Sequence, residues 1–230
     1  MSERCMRCFR PVQNCLCRYT KEIDTGVKFV FLMHPKEAKK QRTGTGRIAH
    51  VTLRDSEILV GLEFARNARL TQLLSSPEFF PVLLYPGEDA WNARKDGFVQ
   101  AVGDRKLLVL VIDATWFCSR KIIEHNPFLL ELPRLSFYGD YRSIFTFKRE
   151  PRPEYISTIE SCYYLIEELK TVSLAADVNP SPLMDVFRRM IKDQLQAENE
   201  RILGIRPNSH CYDAKYTKLK EIPAEISGEN

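Results

Sequence analysis

The run LLVLVID, residues 107–113, constrains the fold of this 230-residue chain more than any other stretch. Its apolar residues are continuous rather than alternating, which is the pattern of a strand buried on both faces of a sheet. Such strands occur in parallel sheets that helices cover on both sides. The run therefore predicts a central strand at residues 106–113 in an α/β fold.

Strands and helices alternate along the rest of the chain, which predicts a largely parallel sheet. Further strands are predicted at 27–35 and 79–87, and helices at 116–125, 157–170 and 182–203. The basic, glycine-containing stretch KEAKKQRTGTGR at 36–47 predicts a loop. We divide the chain into a cysteine-rich knuckle at 1–24, an α/β domain at 25–222 and a tail at 223–230.

Four cysteines are crowded into the segment CMRCFRPVQNCLC near the N-terminus. They form a CxxC pair and a CxC pair, namely Cys5 with Cys8 and Cys15 with Cys17. Four thiolates this close in sequence can surround one tetrahedral Zn²⁺, which would order a segment too short to build a core. The alternative is a redox CxxC motif, but no strand precedes it to begin a thioredoxin-like unit. We therefore predict a structural zinc knuckle.

Polar residues follow the predicted central strand at once. The strand ends at Asp113, and the next helix begins near Trp116. In open parallel sheets, ligands bind beyond the carboxyl ends of the strands, so Asp113 and Thr115 are candidate site residues. Either residue is also suited to capping the following helix, and Trp116 is suited to filling the core. The residues alone leave both interpretations open.

Positive charge is clustered although the net charge is only +4. Residues 1–21, 36–54 and 142–152 each contain an excess of Lys and Arg, and together these windows carry +12. Such clustering is typical of a protein that binds a polyanion, although solvated loops show the same pattern. The 36–47 stretch lacks the GxxxxGK[ST] pattern of a P-loop. We interpret it as a basic loop that contacts phosphate.

Six features, in order, resemble the DTW-domain family: the cysteine cluster, HPKE followed by TGTGR, LLYPG, DATW, LPRLSF and STIE. The bacterial branch that the chain resembles consists of tRNA-uridine aminocarboxypropyltransferases. These enzymes transfer the 3-amino-3-carboxypropyl group of S-adenosylmethionine to N3 of a uridine in tRNA and release methylthioadenosine. The resemblance also implies a SPOUT-like fold, with a C-terminal trefoil knot that holds the cofactor.

The resemblance implies catalytic roles for Asp113, Thr115 and Trp116. An aspartate in water has a pKa of about 3.9 and is a weak base for the uridine N3–H. Asp113 would therefore need burial to act as the base, or would mainly orient the uridine. Trp116 is expected to stack on the extruded base or on the adenine, and Thr115 to bond the cofactor or only cap the helix.

The resemblance also implies two sets of binding residues. The expected cofactor-binding residues are His34, Thr45, Gly46, Arg47, Leu84, Tyr85, Pro86, Thr115, Leu132, Ser157, Thr158 and Glu160. The expected RNA-binding residues are Lys39, Lys40, Arg42, Arg47, Arg142, Lys148 and Arg149. Structural roles also compete at His34, which fits a structural histidine equally well, and at Ser157 and Glu160, which form a capping box.

Two other functions stay open at this stage: methyl transfer from the same cofactor, and a non-catalytic zinc-containing RNA-binding module. The N-terminus has no apolar stretch of signal-peptide type. No run approaches the roughly 18 apolar residues of a membrane span. We expect a cytoplasmic protein that binds tRNA, has no membrane contact and is a monomer.

Overall fold

The computed structural model describes residues 3–40, 44–145, 155–205, 219 and 221–227, without the side chains of Lys40 and Trp116. Its strands are β1 (Lys28–Met33), β2 (Ser56–Val60), β3 (Phe79–Leu84), β4 (Lys106–Asp113) and β5 (Arg134–Leu135). They form one sheet of order β2-β1-β4-β3-β5, in which every neighbouring pair is parallel. The predicted α/β class and parallel sheet are confirmed for the described residues.

Strand β4 lies at the centre of the sheet, as its apolar sequence predicts. Its side chains alternate between two core clusters: Val109 and Val111 pack on one face, and Leu108 and Leu110 pack on the other. All four are almost completely buried. Because both faces are covered, the strand contains no polar residue between its two ends.

Helices cover both faces of the sheet. They are α1 (Pro35–Lys40), α2 (Thr45–Thr52), α3 (Ala68–Ser75), α4 (Phe98–Val102), α5 (Trp116–His125), α6 (Thr158–Lys170), α7 (Ser181–Ile202) and α8 (Ala224–Ser227). Helices α2, α6 and α7 share one core cluster with the sheet, and α3 and α5 share the other. The predicted helices at 116–125, 157–170 and 182–203 are confirmed to within one residue at each end.

The prediction of a loop at 36–47 is wrong for most of its described residues. Helix α1 begins at Pro35, since the fixed φ of proline suits the first turn of a helix, and α2 begins directly after Gly44. Gly46 lies inside α2 although glycine disfavours helices. The reason is tertiary, because close packing at this position leaves no room for a side chain.

The cysteine-rich segment packs directly on the α/β core. Leu16 is fully buried in the core cluster that contains the α7 side chains. The guanidinium of Arg189 on α7 lies 4.3 Å from the ring centroid of Tyr19. Ile226 of α8 is buried in the same cluster. The division of the chain at residues 24 and 222, the trefoil knot and the SPOUT relationship stay predictions.

None of the helices in the described residues is long and apolar enough to cross a bilayer.

Candidate active site

A cavity of about 520 Å³ lies at the carboxyl edge of the sheet. It is bounded by the ends of β3, β4 and β5, by the start of α2 and by the segment that leads into α6. Its size is in the range of small-molecule sites, and its place agrees with the rule for open parallel sheets. The lining includes Glu37, Gly44, Thr45, Leu84, Tyr85, Pro86, Asp113, Thr115, Phe117, Ser119, Leu135, Phe137, Tyr155, Ser157 and Thr158.

Asp113 is the last residue of β4, opposite Met33 of β1. Only 4% of it is exposed, and its Oδ1 accepts a hydrogen bond of 2.8 Å from the Thr158 hydroxyl. Thr158 is the first residue of α6, so the partial positive charge of that helix end lies beside the carboxylate. These contacts fix the orientation of the Asp113 carboxylate in the cavity wall.

Thr115, rather than Asp113, caps α5. Its backbone is extended, and its hydroxyl accepts a hydrogen bond from the N–H of Cys118 at 3.4 Å. Thr115 also lines the cavity, so capping and contact with a ligand are compatible in one residue. Trp116 begins α5, but its side chain lies outside the described part of the structure, and its stacking role stays a prediction.

The start of α2 packs against Asp113. A Cβ atom placed on Gly46 would lie 2.5 Å from the Cγ of Asp113, far inside van der Waals contact. Glycine is therefore required where the helix backbone meets the carboxylate, and Thr45 beside it lines the cavity. The structure thus brings together Thr45, Gly46, Asp113 and Thr158, four residues that the sequence analysis selected from three separate segments.

Gly46→Ala is expected to displace Asp113 or the start of α2. Overpacking of this kind lowers the free energy of unfolding by about 1–3 kcal/mol, which urea unfolding would measure. The double variant Gly46→Ala/Asp113→Ala should recover part of the loss, because the colliding carboxylate is gone. Purely additive losses would show that the two residues do not interfere with each other.

Arg47 follows Gly46 in α2 and is nearly enclosed. Its Nη2 donates to the carbonyl of Ala38 at 2.6 Å, and its guanidinium carbon lies 4.0 Å from the ring centroid of Phe9. Burial lowers the pKa of Arg47, and the Asp113 carboxylate opposes that shift. Among the described residues, Nη1 has no hydrogen-bond partner. Arg47 is 8% exposed and is not among the residues that line the cavity, so its predicted contacts with the cofactor and with an RNA phosphate stay predictions.

His34 and Leu132 do not line the cavity. The Nδ1 of His34 accepts from the N–H of Lys36 at 3.1 Å, at the start of α1. Burial, with Lys36 and Lys121 nearby, lowers the pKa of His34, so its ring is neutral near pH 7. These contacts support the structural interpretation of His34. Leu132 packs against the core cluster shared by α3 and α5.

Glu160 and Ser157 form the predicted capping box at the start of α6. The Glu160 carboxylate accepts from the N–H of Ser157 at 2.8 Å. It also accepts from the Ser143 hydroxyl at 2.7 Å and from the N–H of Ile144 at 2.8 Å. The buried Glu160 therefore ties the 143–145 segment to the helix end that contacts Asp113, and it shapes the site from behind the cavity wall.

The predicted RNA-binding residues are only partly described. Arg42, Lys148 and Arg149 lie outside the described residues, and so does the side chain of Lys40. Lys39 is exposed on α1. The Arg142 side chain is 66% exposed and lies 3.7 Å from the carboxylate of Asp140. Lys39 and Arg142 are therefore accessible to a macromolecular partner.

Phe117 lines the cavity, although 66% of it is exposed and no pattern in the sequence predicts it for the site. The Nζ of Lys121, one turn further along α5, lies 4.8 Å from the centroid of its ring. An aromatic residue at the start of an amphipathic helix is ordinarily part of the core, and the sequence WFC gives no other signal. An exposed aromatic ring beside a cavity points to contact with a ligand, and only the tertiary structure shows that Phe117 is such a ring.

The four N-terminal cysteines form one cluster, with Sγ atoms within 4.8 Å of one another. The Sγ separation is 3.8 Å between Cys5 and Cys17 and 3.7 Å between Cys8 and Cys15. Four Zn–S bonds of about 2.3 Å in a tetrahedron require sulfur separations of about 3.8 Å. The backbone N–H groups of Cys8 and Arg7 lower the pKa of Cys5 to about 6. The cluster could hold a metal ion, and its geometry fits Zn²⁺.

Fold and site together define an α/β protein with a ligand cavity at the carboxyl edge of a parallel sheet and a cysteine cluster that could bind a metal. The model of the DTW domain family matches residues 2–195. The chain therefore belongs to the DTW-domain family, as its motifs predict. This membership suggests a transferase that modifies tRNA. No solved structure matches the chain.

Proposed function

We propose that the protein is a tRNA-uridine aminocarboxypropyltransferase with S-adenosylmethionine as the group donor. The observation that carries the proposal is Asp113, a buried carboxylate held by Thr158 in the wall of a cavity large enough for a small molecule. Family membership supports tRNA modification, and the order of the six motifs supports this branch of the family. We also propose the SPOUT-like knotted topology, a monomer and a cytoplasmic location.

The cavity suits a ligand that has both apolar and charged parts. Apolar surface comes from Leu84, Pro86 and Leu135, and hydroxyl groups come from Thr45, Thr115, Ser157 and Thr158. The carboxylates of Glu37 and Asp113 in the lining complement a sulfonium or an ammonium group. S-adenosylmethionine carries all of these groups and supplies an electrophilic carbon next to its sulfonium. The walls must direct that carbon, rather than the methyl group, towards the acceptor.

Asp113 is proposed to accept or to hold the proton of the uridine N3–H. In the transfer, N3 forms a bond to the aminocarboxypropyl carbon while the bond from that carbon to sulfur breaks. Methylthioadenosine leaves with the electron pair of the broken bond, and the N3 proton passes to Asp113 or through it to water. The hydrogen bond from Thr158 restricts the carboxylate to one orientation, which suits a group that must meet a single N–H.

Phe117 is proposed to stack on the extruded uridine, a role that the resemblance implies for Trp116. Phe117→Leu keeps an apolar side chain but removes the flat ring. Since stacking of a base on an aromatic ring contributes about 1–3 kcal/mol, we expect the KM for tRNA to rise roughly 5- to 150-fold. Phe117→Tyr should keep the wild-type KM. Equal losses in the two variants would contradict a stacking role.

Arg142 is proposed to contact a tRNA phosphate. Its replacement by Ala should weaken tRNA binding and reduce the slope of log affinity against log salt by about one unit. Arg69 on α3 offers a matched control, because it is bound to Glu57 at 2.6 Å and Arg69→Ala should not change the slope. An unchanged affinity and slope for Arg142→Ala would show that its charge is only solvated. Arg42→Ala and Arg149→Ala are likewise expected to weaken tRNA binding and to reduce the slope by about one unit.

One assay tests the proposed reaction directly. Purified protein is incubated with S-adenosylmethionine and unmodified tRNA, and the digested nucleosides are weighed by mass spectrometry. We expect uridine with an added aminocarboxypropyl group, together with methylthioadenosine. An added methyl group with S-adenosylhomocysteine would instead identify a methyltransferase. Unchanged tRNA, with no calorimetric heat from S-adenosylmethionine, would favour the non-catalytic RNA-binding module.

A further inference from the structure

The turn that follows the CxxC pair presents apolar and positively charged side chains to solvent. Two backbone hydrogen bonds of 2.8 Å close it, from the N–H of Cys5 to the carbonyl of Arg10 and from the N–H of Phe9 to the carbonyl of Cys5. Met6 lies in this turn and is 85% exposed, and its neighbour Arg7 is exposed as well. The closed turn thus holds both side chains at the surface of the knuckle.

Two further exposed residues lie beside this turn. Arg4 pairs with Pro11 in an isolated antiparallel bridge, and Val12 follows Pro11, so the backbones of Arg4 and Val12 lie close together. Single exposed apolar residues are ordinary, but three of them within seven positions, bordered by arginines, indicate an interaction surface. We call the five exposed residues of this part the knuckle surface: Arg4, Met6, Arg7, Phe9 and Val12.

This part of the knuckle is positively charged. Residues 4–21 contain five Lys and Arg and no Asp or Glu. Four thiolates around a Zn²⁺ leave a net negative charge that is smaller than these five positive charges. Neither Arg4 nor Arg7 forms an ion pair with a described residue. Positive charge that the fold does not neutralise, next to exposed apolar side chains, fits an anionic partner that also offers flat or apolar groups.

The knuckle surface lies along α2, beside the cavity. The ring centroid of Phe9 is 4.0 Å from the guanidinium carbon of Arg47, which stands two residues after the cavity-lining Thr45. Burial, and then the positive charge of Arg7, lowers the pKa of His50, which lies further along α2. The Phe9 end of the surface is therefore the end nearer to the cavity. A large molecule that places one group in the cavity across the start of α2 would meet this surface.

We propose that the knuckle surface binds the strand of tRNA next to the target uridine. Arg4 and Arg7 contact its phosphates, and Met6 and Val12 contact bases that are not stacked in a helix. Proteins recognise single-stranded loops of RNA by combining positive charge with flat or apolar contacts to bases. The predicted RNA-binding residues begin at Lys39, so they do not include this surface. The inference rests on tRNA as the partner, which belongs to the proposed function, but not on the group that is transferred.

The phosphate contacts are tested by the salt dependence of binding to unmodified tRNA. Arg7→Ala should weaken binding several-fold and reduce the slope of log affinity against log salt by about one unit, and Arg4→Ala/Arg7→Ala by about two. Arg18→Ala is the matched control. Arg18 belongs to the same knuckle, but its guanidinium carbon lies 4.9 Å from the ring centroid of Tyr19, on the side that contacts α7. Equal effects of Arg7→Ala and Arg18→Ala would overturn the inference, because any positive charge on the knuckle would then suffice.

The base contacts are tested at Met6, where no charge is removed. Met6→Ser should weaken tRNA binding several-fold with an unchanged salt slope, whereas Met6→Leu keeps an apolar side chain and should bind like wild type. Wild-type affinity of Met6→Ser would overturn the contact with bases. Zinc content should equal that of wild type in every variant, since none of the replaced side chains is a ligand. Loss of zinc together with affinity would also overturn the inference, because the replaced side chain would then serve the knuckle itself.

The apolar part of the surface would also suit a second copy of this chain, which sedimentation over a range of protein concentrations distinguishes. We expect monomers for wild type and for Met6→Ser. A wild-type dimer that Met6→Ser dissociates would overturn the inference and identify an interface between two copies.

The outcome is separable from that of the proposed reaction. Weaker binding by Arg7→Ala and Met6→Ser, with no aminocarboxypropyl product from wild type, supports the knuckle surface and refutes the reaction. Unchanged binding and slope in both variants, with the expected product from wild type, overturns the knuckle surface and leaves the reaction standing.

Discussion

Asp113→Asn is expected to lower the rate of group transfer by about 10²–10⁴-fold, the range typical of a lost general base. Asparagine keeps the shape of the side chain, and its Oδ1 can still accept the hydrogen bond from Thr158. It loses the negative charge and the basicity. Binding of S-adenosylmethionine and tRNA and the melting temperature should change little. Single-turnover formation of the modified uridine, measured by mass spectrometry, gives the rate.

Asp104→Asn is the matched control for this experiment. Asp104 is exposed just before β4, at the opposite end of the strand from Asp113, so the same chemical change there should leave transfer unaffected. A wild-type rate of transfer in Asp113→Asn would show that Asp113 has only a structural role. If that variant does not fold, Thr158→Val tests the same idea, because it removes the group that orients the carboxylate and should also slow the transfer.

Freshly purified protein is expected to contain about one Zn²⁺ per chain, and loss of the metal should unfold the knuckle. Structural zinc contributes about 10–16 kcal/mol of apparent binding free energy in small zinc-finger peptides at pH 7. The described part of the knuckle has few fully buried side chains, Leu16 and Cys8 among them, so packing alone cannot replace that contribution. Cys5→Ser and Cys17→Ser should therefore lose zinc and become sensitive to proteolysis within residues 1–24.

Cys118→Ala is the control, because Cys118 is buried on α5 and is not a member of the cysteine cluster. Elemental analysis should find its zinc content unchanged.

Burial and the neighbouring thiols raise the pKa of Cys17, so protons compete with the metal for this thiolate and zinc affinity should fall as the pH is lowered. Protein without bound metal after gentle purification would contradict the zinc assignment.

The sequence by itself determined the class of fold, because the buried face of a strand or helix produces a periodic pattern of apolar residues in the local sequence. The continuous apolar run of β4 reports cover on both faces of a strand, and the amphipathic stripes of α6 and α7 report one buried face each. The capping box at Ser157 and Glu160 and the spacing of the four cysteines are local patterns of the same kind. Each pattern needs only neighbours in the chain, so each was predictable.

The tertiary structure decided which polar side chains meet. Thr158 contacts Asp113 across 45 positions of sequence, and Gly46 touches the same carboxylate only because the start of α2 packs beside the end of β4. A contact between distant segments leaves no periodic pattern in the sequence. For that reason the glycine-containing basic stretch at 36–47 was predicted to be a loop. Strand order and helix packing likewise decide the exposure of the Phe117 ring, the contacts of His34 and the stacking of Phe9 on Arg47. The sequence of one segment does not show which distant segment will pack against it.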